Sequence, residues 1–170
     1  KILGLGFPGG PIIDKLARGR DPNKVIFHRP MIDDPSYNFS FSGIKTNVLY
    51  YLRGQDMRGP ERKLSLEQTA DVAAGFQEAV VDTLVEKTVR AARRMNVPRI
   101  VVGGGVACNW RLREKMNARC SALGFECFFP PFEYCTDNAA MVAGLAYHLF
   151  EKGKVATLAL DAVPTKDYRR

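Results

Sequence analysis

The chain has no apolar run near the roughly 20 residues that a membrane-spanning helix needs, and no charged-then-apolar leader opens it. It also lacks any low-complexity tract, and with 46% hydrophobic and 25% charged residues it does not have the composition of a disordered segment. It therefore reads as a soluble, cytoplasmic protein with no membrane partner. Histidine is nearly missing: His28 and His148 are the only two, and they form no H-x-x-x-H pair of the kind that holds zinc. The four cysteines, Cys108, Cys120, Cys127 and Cys135, lie 12, 7 and 8 residues apart. That spacing fits neither a paired C-x-x-C site nor a small disulfide scaffold, so they read as reduced, mostly buried thiols.

A length of 170 residues is enough for one good core, and the chain reads as a single domain. It begins on Lys1 in what looks like a helix-to-loop transition, KILGLGFPGGP, and so reads as a fragment of something longer. Proline after the Pro8-Gly9-Gly10 turn predicts a short helix over 11–18 closed by Gly19. KVIFH (24–28) predicts a brief strand. The alternation in YNFSFSG (37–43) predicts a second strand with one buried face, after which Gly43 releases the chain into a helix, IKTNVLYYLR. GQDMRGPERK reads as a loop. Ser65 and Gln68 have the spacing of a capping box, and Val72, Phe76, Val80, Leu84 and Thr88 repeat every four residues, which predicts one long helix reaching Asn96 with that row as its buried seam. Gly75 is the weak point, at a cost of about 1 kcal/mol. RIVVGGGVACNWRLREKM then reads as strand, glycine turn and helix. A second strand, FECFFPP, leads to a helix from Asn138 to Lys152 ended by Gly153. Alternating strands and helices make this an α/β domain.

The charge is +7 overall and uneven. Lys87, Arg90, Arg93, Arg94, Arg99, Arg111, Arg113, Lys115 and Arg119 face a single acid in the same span, Glu114. Such a field attracts polyanions such as RNA, or simply solvates helix faces.

Three features carry chemistry. Gly103, Gly104 and Gly105 follow a strand and precede a helix, so backbone N–H groups can approach an anion there with no Cβ in the way. The pattern is neither G-x-G-x-x-G nor a P-loop, and a tight packing turn is the other reading. Asn109 just beyond either caps the helix or offers its amide to a sugar or acyl group. Gly9-Gly10 is a second close-approach site, with Asp14 one turn later, a position more often solvated than functional. Asp137 stands at a helix mouth beside Asn138. Because Asn138 can cap that helix by itself, Asp137 is redundant as a cap and becomes a candidate metal ligand, although one carboxylate cannot hold a metal. His148, deep in the helix, reads as structural.

Four runs, in order, carry a family resemblance: FPGGP, YNFSFSGIKT, VVGGGVACNWRLREKM and FFPPFEYCTDNAAMVA. Together they resemble the TsaD/Gcp family of tRNA threonylcarbamoyladenosine transferases, over essentially the whole chain but only the carboxyl-terminal half of a protein about twice as long. The resemblance implies an actin-like, Hsp70-like, sugar-kinase-like ATPase fold, of which residues 1–170 would be the carboxyl-terminal lobe, one ribonuclease-H-like lobe with inserted helices. It implies transfer of a threonylcarbamoyl group from threonylcarbamoyl-AMP to N6 of adenosine 37 in tRNAs reading codons that begin with A. Gly10, Asp14 and Asn109 would contact the nucleotide intermediate, with Gly103, Gly104 and Gly105 as backbone contacts. Asp137 would ligate one divalent metal, Fe2+ or Zn2+, whose two histidine ligands belong to the absent half. No catalytic residue is assigned. Arg90, Arg93, Arg94, Arg111 and Arg113 are the candidates for tRNA binding.

The expected partners are tRNA, a paralogous dimer partner and a small ATPase of the same pathway. Within the chain Cys108 precedes the motif's asparagine, which removes no contact. Alone, the chain is expected to bind metal poorly and to transfer nothing. Two other readings stand beside this one. A metallo-endopeptidase of glycoproteins would need a metal-activated water with a nearby base, and no Glu stands in a metalloprotease motif. A non-catalytic scaffold paralogue has no need to keep Asp137.

Overall fold

The computed structural model describes residues 1–56, 58–60 and 62–161. Among the described residues five helices and two short strands follow one another: α1 (Gly9–Ala17), α2 (Phe41–Arg53), α3 (Leu66–Arg94), β1 (Arg99–Val101), α4 (Trp110–Leu123), β2 (Glu126–Phe128) and α5 (Ala139–Glu151). Single 3-10 turns occupy Gly105–Cys108 and Phe132–Tyr134. Where the sequence suggests one undivided domain, internal contacts gather into two units that divide after Cys135. Among the described residues no helix is long and apolar enough to cross a membrane.

In the first unit α3 is the axis. Its start is fixed by the expected capping box: Ser65 Oγ accepts from the Gln68 N–H at 3.2 Å, and Gln68 Oε1 accepts from the Ser65 N–H at 3.0 Å. Its two halves serve two cores. Val81, Val85, Val89 and Ala92 pack with Ile100 of β1 and with Leu112, Met116 and Cys120 of α4. Val72 and Ala79 pack with Phe27 and with Ile44, Val48 and Leu52 of α2. β1 and β2 run parallel, with Arg99, Ile100 and Val101 opposite Glu126, Cys127 and Phe128. β2 follows β1 through α4, the strand–helix–strand order the sequence predicts.

The expected seam of α3 is displaced. Val72 is buried, but Phe76, Val80, Leu84 and Thr88 are only half-buried. A strict four-residue row drifts about 40° per step on a helix that turns about 100° per residue, so by Thr88 it has left the face where Val72 began. Burial on two sides of α3 then selects Val81, Val85 and Val89 for the second core.

The two strands expected before α3 are not formed. Residues 24–28 do alternate in burial, with Phe27 buried and Ile26 70% exposed, but they lie against α3 and not beside a strand. The carbonyl of His28 accepts from Asn47 Nδ2 and that of Phe27 from Arg29 Nη1, so side chains take the place of a ladder. Residues 37–43 fail the other way. Phe39 and Phe41, the expected inward side chains, are both 41% exposed and stack on each other at 5.5 Å. α2 starts at Phe41 and not after Gly43, and a Cβ on Gly43 would stand 2.8 Å from Pro30 Cγ. α1 begins two residues before the expected Pro11 and ends at Ala17.

Candidate functional site

The carboxyl edge of β1 opens into Gly103–Gly105, where Gly104 has a φ of 83°, a left-handed conformation that favours glycine. A Cβ built on any of the three meets nothing within 4 Å, so the turn faces open space and is not there to admit a packed neighbour. Asn109 then caps α4, its Oδ1 accepting from the Leu112 N–H at 2.9 Å. The two amide hydrogens of the same side chain reach outward. One goes to Asp14 Oδ1 at 3.0 Å and the other to Gln77 Oε1 at 2.7 Å.

Asp14 is thus buried and not solvated, with its second oxygen accepting from Arg18 Nη2 at 3.3 Å. Gly10 lies one turn before it on α1, again with open space where a Cβ would stand. Pro8, the cap residue of α1, supplies no side-chain acceptor. The leading N–H groups of α1 therefore have no side-chain cap, and the positive end of the helix favours an anion. Asn109 thus joins three segments, binding Asp14 of α1 and Gln77 of α3 from the residue just before α4. Of the candidate site residues the bonds bring Asp14 and Asn109 together, and Gln77 is the member that sequence reading missed. It lies in the middle of a long helix with no local signal to separate it from a solvated glutamine.

Most of the basic belt is committed elsewhere. Arg111 makes a two-pronged pair with Glu78, Nε to Oε2 at 2.8 Å and Nη2 to Oε1 at 2.9 Å, and also reaches Glu114 at 2.6 Å. Lys115 bridges Glu78 and Asp82, and Asp82 in turn accepts from Arg29 at 2.9 Å. Arg113 donates to the carbonyls of Ala107 and Pro130 and sits 4.0 Å above the Phe132 ring, fastening the glycine-turn segment to residues 129–135. Lys87 is buried and donates to the Ser36 carbonyl, and Arg90 donates to the carbonyls of Ile32 and Asp34. Arg111 and Arg113, two of the candidate tRNA contacts, serve as internal braces. Of the five candidates, only Arg93 and Arg94 are exposed.

Glu78 shows what the bracing does. The Arg111 guanidinium, with help from Lys115, outweighs burial and holds its carboxyl at about 2, well below the ordinary 4.5. A carboxyl whose folded value is depressed stabilises the fold above its unfolded value. That contribution is lost as pH falls from about 4.5 toward 2. Urea unfolding at pH 7 should find Glu78→Gln destabilised by about 3 kcal/mol, since two cations lose a buried partner. Between pH 5 and 2 the variant should lose less stability than the parent; parallel losses would show that Glu78 is not the titrating brace.

In the second unit Asn138 caps α5, its Oδ1 accepting from the Met141 N–H at 3.0 Å, and its Nδ2 donates to the Thr136 carbonyl. Asp137 is exposed and is not the cap. Among the described residues no three His, Cys, Asp or Glu side chains gather as a metal site. His148 lies in α5 with its ring edge-on to Tyr147 at 5.5 Å.

A parallel strand–helix–strand unit with an open glycine turn at its carboxyl edge, joined to a second glycine-led helix, defines an α/β lobe of the kind that binds anionic ligands at strand ends. The chain belongs to the TsaD family, described as tRNA N6-adenosine threonylcarbamoyltransferase, whose family model matches residues 1–144. Proteins named tRNA N6-adenosine threonylcarbamoyltransferase are similar to it. That of Thermotoga neapolitana is 53% identical over 164 residues, which cover 96% of this chain and 47% of the relative. That of Thermosipho africanus is 48% identical over the same share of the chain, and that of Syntrophotalea carbinolica is 52% identical over 86% of it. The chain spans about half the length of the relatives it matches.

Proposed function

We propose that the chain is the carboxyl-terminal lobe of a cytoplasmic tRNA N6-adenosine threonylcarbamoyltransferase with the actin-like, Hsp70-like, sugar-kinase-like ATPase fold. The observation that carries this reading is the Asp14–Asn109–Gln77 bridge, which joins α1, α3 and the residue that caps α4, between the two glycine-bearing segments of the sequence. In this reading the phosphate of threonylcarbamoyl-AMP rests on backbone N–H groups of Gly10 and Gly103–Gly105. Asn109 and Asp14 keep the two anchors in register, and Asn109 reaches the nucleotide by turning one amide hydrogen away from Gln77.

N6 of adenosine 37 attacks the carbamoyl carbonyl carbon. The bond from that carbon to the phosphate oxygen breaks, AMP departs with the electron pair, and N6 gives up a proton. The exposed carboxylate of Asp137, relieved of capping by Asn138, fits one ligand of a divalent metal, Fe2+ or Zn2+, completed by two histidines from outside this chain. A metal held there would supply Lewis-acid chemistry. The tRNA, a paralogous dimer partner and a small ATPase are the partners of the whole enzyme.

The test uses a chimaera in which this chain replaces the matching 164 residues of the Thermotoga neapolitana relative. Calorimetric titration with AMP should show saturable binding. Gly10→Ala should weaken it at least tenfold without lowering the melting temperature, because the new Cβ meets no protein atom and can only obstruct a ligand. Asn109→Ala should weaken AMP comparably and also lose the α4 cap, which costs about 1 kcal/mol. Unchanged AMP affinity in Gly10→Ala would remove the nucleotide from this site.

A further inference from the structure

We propose that the carboxyl-terminal half of α3, with Arg119 of α4 and the loop over residues 31–34, forms a docking groove for the tRNA phosphate backbone, separate from the nucleotide site. The groove encloses about 590 Å³ and is lined by Arg90, Arg93, Arg94 and Arg119, with Asp33 and Glu86 as its acids.

The partner of each cation decides where its charge is felt. Arg111 and Lys115 face carboxylates at 2.8 and 2.6 Å, so little of their field leaves the protein. Arg90 is different. Its guanidinium is fixed by the Ile32 and Asp34 carbonyls, which orient it without cancelling its charge, and the neighbouring Lys87 is held in the same manner by the Ser36 carbonyl. The carboxylate of Asp34, whose carbonyl holds Arg90, accepts from the Ser36 N–H and hydroxyl. Arg119 pairs with Glu86 at 3.1 Å.

Arg93 and Arg94 then stand exposed at the lip, and Arg94 lies 5.9 Å over the Tyr37 ring. Basic residues in the last turn of α3 also suit its dipole, but one or two serve that purpose and do not explain a third and fourth arginine on the same hollow. Planar guanidinium forks, some pre-oriented by carbonyls and others free to swing, match phosphodiester oxygens. Two residues past Tyr37 the exposed Phe39–Phe41 stack offers a flat surface of the sort that unpaired bases cover.

Only the choice of tRNA among polyanions rests on the proposed function, and the groove and the nucleotide site can fail separately. In the chimaera, fluorescence anisotropy with labelled tRNA should show Arg93→Glu with Arg94→Glu weakening binding at least tenfold at 50 mM salt. The slope of log affinity against log salt should flatten by about two, one for each phosphate no longer neutralised. AMP binding and the melting temperature should not change, since neither side chain is buried. Arg119→Gln provides a second, milder loss. An unaltered tRNA affinity and slope in the double variant would overturn the proposal, as would loss of binding to a partner protein with tRNA unaffected. If AMP fails to bind while the double variant still loses tRNA, the nucleotide site falls and the groove stands.

Discussion

Gly75→Ala should lower the stability of the chimaera by about 3 kcal/mol, the upper range for an overpacked core, and its melting temperature by about 4 °C. The sign is opposite to that expected at an exposed helical glycine, where alanine gains about 1 kcal/mol. The difference lies in what α3 leans on. A Cβ at position 75 would stand 1.9 Å from the Val25 carbonyl oxygen and 3.0 Å from its carbon. The obstacle is backbone and cannot swing away as a side-chain tip can. The 24–28 segment is also held by buried Phe27 and, just beyond it, by the Arg29–Asp82 pair at 2.6 Å. Relief therefore demands separation of the segment from α3, which opens the core around Phe27, Ile44 and Val48. A melt within 2 °C of the parent would show that the segment yields freely and that Gly75 is not a contact glycine.

Asp137→Ala and Asn138→Ala, neighbours in the chain, should part company. Asn138→Ala removes the acceptor for the Met141 N–H and should cost about 1 kcal/mol of stability. Asp137→Ala removes an exposed carboxylate that caps nothing and should leave the melting temperature within 1 °C or so. Its effect belongs to chemistry. If Asp137 is one of three metal ligands, the chimaera should lose most of its bound iron or zinc by elemental analysis, and threonylcarbamoyl transfer should fall at least a hundredfold. Asn138→Ala should keep its metal. Equal metal content in the two variants would return Asp137 to the surface.

These residues mark what is legible in the sequence. Ser65 with Gln68, Asn109 before Leu112 and Asn138 before Met141 are contacts three residues long, and local spacing is enough to read them. The glycine turn after β1 belongs to the same class. Contacts between distant segments are not legible. Arg111 and Glu78 are 33 residues apart, Asn109 and Asp14 are 95 apart, and no spacing announces either. A count of charge between Lys87 and Arg119 is correct as arithmetic. It overstates the outward field because Glu78, Asp82 and Glu86 lie just outside that window and turn inward to meet it. The strand expected over 24–28 fails for a related reason. Alternate burial is genuine there, but the surface that buries Phe27 belongs to helices, and a period of two does not say what stands opposite.

Gly75 illustrates the same limit. Its cost in a helix is visible from residue type alone, whereas its necessity depends on the carbonyl of Val25, far earlier in the chain. The candidate site residues are named through motif resemblance; the hydrogen bonds of Asn109 to Asp14 and Gln77 are a physical link between segments far apart in the sequence.

The most direct test of the proposed activity is nucleoside mass spectrometry of unmodified tRNA incubated with the chimaera, ATP, threonine, bicarbonate and the partner proteins. The predicted result is threonylcarbamoyl-modified adenosine at position 37, formed by the parent chimaera and lost in Asp137→Ala. A folded parent chimaera, active partners and no modified adenosine would contradict it.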